Sequence, residues 1–430
     1  MFENIEIPEN IDEYIKKGLE KGSTKKFTKR LKRVLGVFIC ILITVFIAGI
    51  RVSPAFAFNV AKIPGLNYLV EFVSMDKGLK AAVDHEYFLN IGKSVEKQNI
   101  KLTVKDVIVD NSGIIAFYSL ENKGDHVSPR IRAAKLTDAE GKDLEMSSSY
   151  FFTPNDGKVF EGKLEFYTND DQKEIPENVV LKAQMIEEGK ALSGTWEIPF
   201  SIDKSRLPGA EKVYAINKTI EIEGQKINFE NIKIYPIKSI LTISLDKSNS
   251  KKIFAFDDLK LIDDNGEEWE RVNSGFTGSN PGDDYQTLNF QSNYFYRPKE
   301  LYIMGSSIRA LDKDKCYFTV DTEKRKISYS PYDLISLTDF IISKEKLSLE
   351  AVINKEAKDI SNNFQISNEA YDSRGKKLEI LEQGMGRAEN KSYVNYTFKL
   401  EHDFKGPVIL KICDYPSRIK GDFKIKIPLK

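Results

Sequence analysis

Three short stretches of the 430-residue chain repeat one pattern: DAEGKDLE at 138–145, DDNGEEWE at 263–270 and DSRGKKLE at 372–379. Each reads Asp-x-x-Gly-x-x-Leu/Trp-Glu. Asp138, Asp263 and Asp372 open a tight hairpin turn by accepting from the backbone N–H groups that follow. Gly141, Gly266 and Gly375 take the positive φ that closes it. The context repeats as well. Upstream lie β-rich runs around Asn111-Ser112-Gly113, Pro236-Ile237-Lys238 and Ser343-Lys344-Glu345, whose midpoints precede the repeated Gly by 29, 29 and 31 residues. Downstream come the alternating stretches TWEIPFSI (195–202), CYFTV (316–320) and FKIKIPL (423–429). A repeat of roughly 110 residues, with turn signals every dozen or so, predicts tandem antiparallel β-sandwiches of immunoglobulin-like type. The units fall at 97–207, 208–326 and 327–430, each closed by its own alternating strand.

The second constraint is KRLKRVLGVFICILITVFIAGIRVSPAFA, residues 29–57. From Val34 to Ile50 no residue is charged, and twelve of seventeen are Ile, Leu, Val or Phe. As a helix the run spans about 25 Å, just inside the length that crosses a bilayer. Lys29, Arg30, Lys32 and Arg33 crowd its N-terminal side, so the positive-inside rule places the N-terminus in the cytoplasm and the bulk of the chain outside. The expectation is a single-pass cell-membrane protein with a transmembrane helix at 34–51. A rival expectation is a signal peptide cut after Ala55-Phe56-Ala57, which would give a secreted protein.

Residues 1–33 form a tail with one short amphipathic helix. Asn10 and Glu13 make a capping-box pair, and Ile11, Tyr14, Ile15 and Leu19 then share one face. A helix this short is marginal alone and calls for a partner: an intracellular protein with a groove, or the membrane surface. Residues 52–96 predict a short helical stem, with Leu66, Leu69, Val70 and Val73 at helical spacing and Leu79, Ala82 and Val83 following.

Charge is balanced, 64 basic against 64 acidic residues, so no direct nucleic-acid partner is expected. Three cysteines, one of them Cys40 in the apolar run, make no disulfide framework. His85, His126 and His402 lie far apart, and no zinc, nucleophile-elbow or phosphate-loop spacing occurs. Asp263-Asp264-Asn265-Gly266 belongs to the repeated hairpin rather than to a twelve-residue calcium loop. No enzyme, metal or cofactor is expected.

VSPAFAFNVAKIPGLNYLVEFVSMDKGLKAAV (52–83), followed by IKLTVKDVIVDNSGIIAFYSL (100–120), resembles the domain-of-unknown-function 4179 family of Gram-positive bacteria. IPENIDEYIKKGLEKG (7–22) resembles the short tail that its members carry. The resemblance implies an anti-sigma-factor-like role: an inner segment holds a cytoplasmic sigma factor while the outer part senses an envelope ligand. The tail departs from the zinc-type pattern in lacking His-x-x-x-Cys-x-x-Cys. The competing expectation is a non-enzymatic surface or secreted protein, structural or adhesive, that binds wall polymer or another protein.

Overall fold

The structure, a computed structural model, describes residues 72–429 except 74–75, 153–157, 169–173, 207–210, 273–283, 344, 355–363, 389–390, 401–403 and 405, and Lys16 besides. The tail face Ile11, Tyr14, Ile15 and Leu19, the basic flank Lys29, Arg30, Lys32 and Arg33, and the apolar run lie outside the described residues. Among the described residues no helix is long and apolar enough to cross a membrane.

The protein is mainly β, built from antiparallel sheets that pair into sandwich-like layers. The helix α1 (Lys77–Asp84) precedes them. The expected stem stops being helical there, because Leu89–Lys97 is already the first strand, β1.

The first pair of sheets uses β1, β2 (Ile100–Asp110), β3 (Gly113–Asn122), β4 (Arg130–Asp138), β5 (Ser147–Phe152), β6 (Val159–Tyr167), β7 (Asn178–Glu187), β8 (Lys190–Ala191) and β9 (Trp196–Ser201). One sheet runs β1-β2-β3-β6-β5; the other has β7 between β4 and β9, with β8 as a short appendage. Alternation decides which face is inward: Trp196, Ile198 and Phe200 of β9 are buried and the residues between them exposed. The Trp196 indole N–H donates to the Ile100 carbonyl at 3.0 Å, tying the two sheets together across the core.

The second pair uses β10 (Lys212–Ile222), β11 (Gln225–Ile234), β12 (Lys238–Leu245), β13 (Lys251–Phe256), β14 (Lys260–Asp263), β15 (Glu268–Trp269), β16 (Tyr285–Gln291) and β17 (Leu301–Asp312). The third uses β18 (Tyr317–Asp321), β19 (Lys326–Tyr329), β20 (Ile335–Ile342), β21 (Lys346–Asn354), β22 (Gln365–Tyr371), β23 (Ile380–Ala388), β24 (Lys391–Lys399) and β25 (Val408–Asp414). A last strand, β26 (Arg418–Ile427), ends the described chain.

The closing strands do not follow sequence order. In the first sandwich β9 flanks β7, with Phe200 opposite Val179. The equivalent place beside β17 is taken by β26, with Ile427 opposite Leu301. The place beside β25 is taken by β18, with Val320 opposite Val408. Ile419, Ile425 and Ile427 accordingly belong to the second core, while Phe318 and Val320 belong to the third. This corrects the expectation that CYFTV closes the second unit and FKIKIPL the third. The third sandwich is inserted between β17 and the strand that completes the second.

The connectors differ as well. β7 reverses into β8 through Glu188-Gly189, both at positive φ, and Gly194 (φ +86°) lies on the way to β9. Lys313–Lys315 and Tyr415–Ser417 contain no glycine; the first carries the chain from the second sandwich into the third, and the second brings it back. The two crossings lie side by side: Ala310 N–H donates to Ser417 O and Ile412 N–H to Cys316 O, both at 3.0 Å. Arg309 grips Asp414 with two nitrogens at 2.8 and 2.9 Å and also bonds Asp257, which Arg418 holds at 2.7 Å.

Candidate functional site

The repeated turns share one geometry. Gly141, Gly266 and Gly375 donate their N–H to the carbonyls of Asp138, Asp263 and Asp372 at 3.1, 3.1 and 3.0 Å. Each glycine has φ between +78° and +88°. One carboxylate oxygen of each Asp accepts the N–H four residues on, from Lys142, Glu267 and Lys376, at 2.8–2.9 Å. Of the three returning residues Trp269 is fully buried, whereas Leu144 and Leu378 are half-buried. These carboxylates serve their own turns and do not converge on one site.

Two other places bring chemistry together. The first is a junction between the first two sandwiches. The β2–β3 turn of one meets the equivalent β11–β12 turn of the other. Asp110 accepts from Ile237 N–H at 2.7 Å and, through its other oxygen, from Ser112 N–H and Oγ–H at 2.7 and 2.6 Å. Loss of water pushes the Asp110 carboxyl up to about 6, against the pull of those donors and of Lys238. Lys238 is itself buried, its Nζ 4.1 Å from the centre of the Tyr167 ring.

Helix α1 is wedged into this junction. Asp76 caps it by accepting Leu79 N–H at 3.0 Å, and Gly78, Leu79, Ala81 and Ala82 are buried. On the second sandwich, His85 stacks on Phe295 with ring centres 4.9 Å apart, and Lys77 pairs with Glu267 and donates to Glu268 O at 3.2 Å. On the first sandwich, the Tyr87 hydroxyl beyond the helix donates to Val109 O at 3.1 Å. Gly78 lies so close that a Cβ there would sit 2.5 Å from Ser292 N.

The second place is an open cleft of about 690 Å³ between the second and third sandwiches. Its floor is the outer face of the sheet β19-β18-β25-β22, where Tyr317 lies opposite Lys411 and Tyr371 opposite Ile409. Its wall is the β12–β13 turn and β13 of the second sandwich, with Asp246, Asn249, Lys251 and Ile253; Lys313 comes from the connector. Tyr317 stacks on Tyr329 at 4.5 Å, and Lys411 lies 5.1 Å over the Tyr371 ring. Lys411 also meets Glu369 at 3.1 Å; with Lys377 it holds the Glu369 carboxyl down at about 2. Cys316 lines the cleft as a free thiol, and Cys413 is free and exposed, so these two are not the fully buried thiols that a core would use.

Neither place stands out in the sequence. Asp110 carries a local trace, an acid directly after Val107-Ile108-Val109 and before the turn Asn111-Ser112, where an Asx turn is favoured. The cleft carries none, since its residues are scattered from Leu245 to Lys411 on separate strands and turns.

Comparison with known proteins places part of the chain. Residues 27–122 match a domain of unknown function, DUF4179. The chain carries a DUF4179 segment. That segment runs from the basic flank through the apolar run and α1 to the end of β3, and it contains the stretches 52–83 and 100–120 on which the resemblance was drawn; the tail at 7–22 precedes it. Beyond the DUF4179 segment, residues 211–334 match a family of unknown function, DUF5643. This second match takes in β18, the strand that the structure places in the third sandwich. No curated protein matches. Among solved structures, the crystal structure of a conserved domain protein from Bacillus anthracis is similar at 21% identity over 56% of this chain and 84% of that one, with a TM-score of 0.40.

Proposed function

We propose that the chain is a single-pass envelope sensor of anti-sigma-factor-like type. A transmembrane helix at 34–51 separates a cytoplasmic tail from three extracellular, immunoglobulin-like sandwiches. The face Ile11, Tyr14, Ile15 and Leu19 binds a cytoplasmic regulator, a sigma factor in the reading that the resemblance implies, and no catalytic role is assigned.

One observation supports this above the rest. The DUF4179 segment includes both the apolar run and α1; α1 is held against the second sandwich, and Tyr87 just beyond it is bonded to the first. A change in the way those sandwiches meet is therefore carried to the chain that leads toward the proposed anchor. The test is co-purification of the regulator with the full chain and with an Ile15→Asp, Leu19→Asp double variant, both from membranes. The variant is expected to stay in the membrane fraction and lose the regulator. Retention of the regulator by the variant would remove the tail from the mechanism. The cleft also suits a surface or secreted binding protein, which becomes the better reading if the mature chain is found to begin at Phe58.

A further inference from the structure

We propose that the cleft between the second and third sandwiches binds an anionic carbohydrate, with sugar rings on the tyrosine faces and carboxylate or phosphate groups on the lysines. This deepens the sensing role by naming the class of ligand sensed, and the two ideas fail separately.

The volume comes first. About 690 Å³ lies in the middle of the range for small-molecule sites and is open along one side, which suits a segment of a longer polymer better than an enclosed metabolite. The floor comes next. Tyr317 and Tyr371 stand on one face of a rigid sheet, braced by Tyr329 and by a hydrogen bond from the Tyr371 hydroxyl to Glu369 at 3.2 Å. Aromatic faces held this way accept the C–H face of a sugar ring at little cost in side-chain freedom.

Charge then selects among sugars. Two of the lining carboxylates are committed to their own turns: Asp246 accepts from Ser248 N–H and Oγ–H at 2.8 and 2.6 Å, and Asp372 from Arg374 and Lys376 N–H at 2.8 Å. A third, Asp284, faces Lys247 at 3.5 Å. Lys313 donates to a neutral acceptor, the Lys247 carbonyl, at 3.0 Å, and among the described residues no carboxylate lies within ion-pair distance of it. Lys251 and Lys411 border the other sides, but each is already paired, with Asp312 at 2.6 Å and with Glu369 at 3.1 Å. Lys313 is therefore the charge that selects an anionic group, and the other two add only the N–H donors that their pairs leave over. Lysine is a compact charge that serves carboxylate and phosphate alike.

The experiment is calorimetric titration of the purified full chain in detergent with four probes: tetragalacturonate, phosphorylated maltotetraose, neutral cellotetraose and inorganic tripolyphosphate. At least one charged sugar is expected to bind ten-fold or more tightly than both cellotetraose and tripolyphosphate, and which of the two does so tells carboxylate from phosphate. Lys313→Gln and Tyr371→Ala are each expected to weaken that binding five-fold or more while leaving the melting temperature in place. Cellotetraose binding as well as the charged sugars would remove the lysines from the proposal. Tripolyphosphate binding equally well would remove the rings. Binding by none of the four at millimolar concentration would overturn it, whatever the tail does with its partner.

Discussion

Asp110 shows how much one buried carboxylate can decide. It joins two hairpin turns that lie 127 residues apart, and its carboxyl sits at about 6 against an ordinary 3.8. The folded chain thus holds this proton more tightly than the unfolded chain does. The group's contribution to stability is complete below about pH 4 and is lost as pH rises through 6. The gap corresponds to about 3 kcal/mol at most. In Asp110→Asn that contribution disappears. Urea unfolding at pH 4 and pH 7 should show the wild type losing about 1–3 kcal/mol more than the variant between the two conditions. Parallel pH profiles would mean that Asp110 keeps one protonation state throughout. Asp110→Ala is a harsher change. It leaves Ile237 and Ser112 N–H without this acceptor and is expected to cost about 2–4 kcal/mol at either pH.

At the scale of elements, α1 is the piece whose docking one atom can upset. In Gly78→Ala the added methyl meets Ser292 backbone atoms at 2.5–2.9 Å, and backbone cannot step aside as a flexible side chain would. The helix must lift, at a cost of about 1–3 kcal/mol. Hydrogen exchange at residues 79–85 should quicken while β2 and β3 keep their protection; unchanged exchange in the helix would mean that the junction absorbs the methyl. Much at this scale was legible beforehand. Asp138, Asp263 and Asp372 each announced a turn because the Asp side chain and the Gly backbone are both local requirements. Leu79, Ala82 and Val83 likewise fell within the helix that α1 occupies. The identity of each strand's neighbour was not legible. FKIKIPL and CYFTV alternate equally well, and alternation says which face is buried without saying against what. The cleft was hidden for a related reason: Lys313 and Tyr371 meet only once the exchanged strands have brought the second and third sandwiches edge to edge.

For the described molecule as a whole, the exchange takes the strand that completes each of two sandwiches from the stretch of sequence next to the other. Removing residues 417–430 takes Ile419, Ile425 and Ile427 from the second core, an expected loss of about 5 kcal/mol. Limited proteolysis should then cut within 212–312 before it cuts within 317–414. Val320→Asp should do the reverse, opening the third sandwich although residue 320 lies inside the DUF5643 match. Loss of the third sandwich on C-terminal truncation, with the second intact, would mean that the strands pair in sequence order.

The exchange also sets a timetable. A chain emerges N-terminus first, at about 5–20 residues per second. β17 is finished at Asp312, yet the strand that covers its open edge begins only at Arg418. The second core must therefore wait on the order of ten seconds while the whole third sandwich is made. During that interval the edge of β17 that β26 will cover has no strand beside it from its own sandwich. Only a chain read through β26 can close its second core.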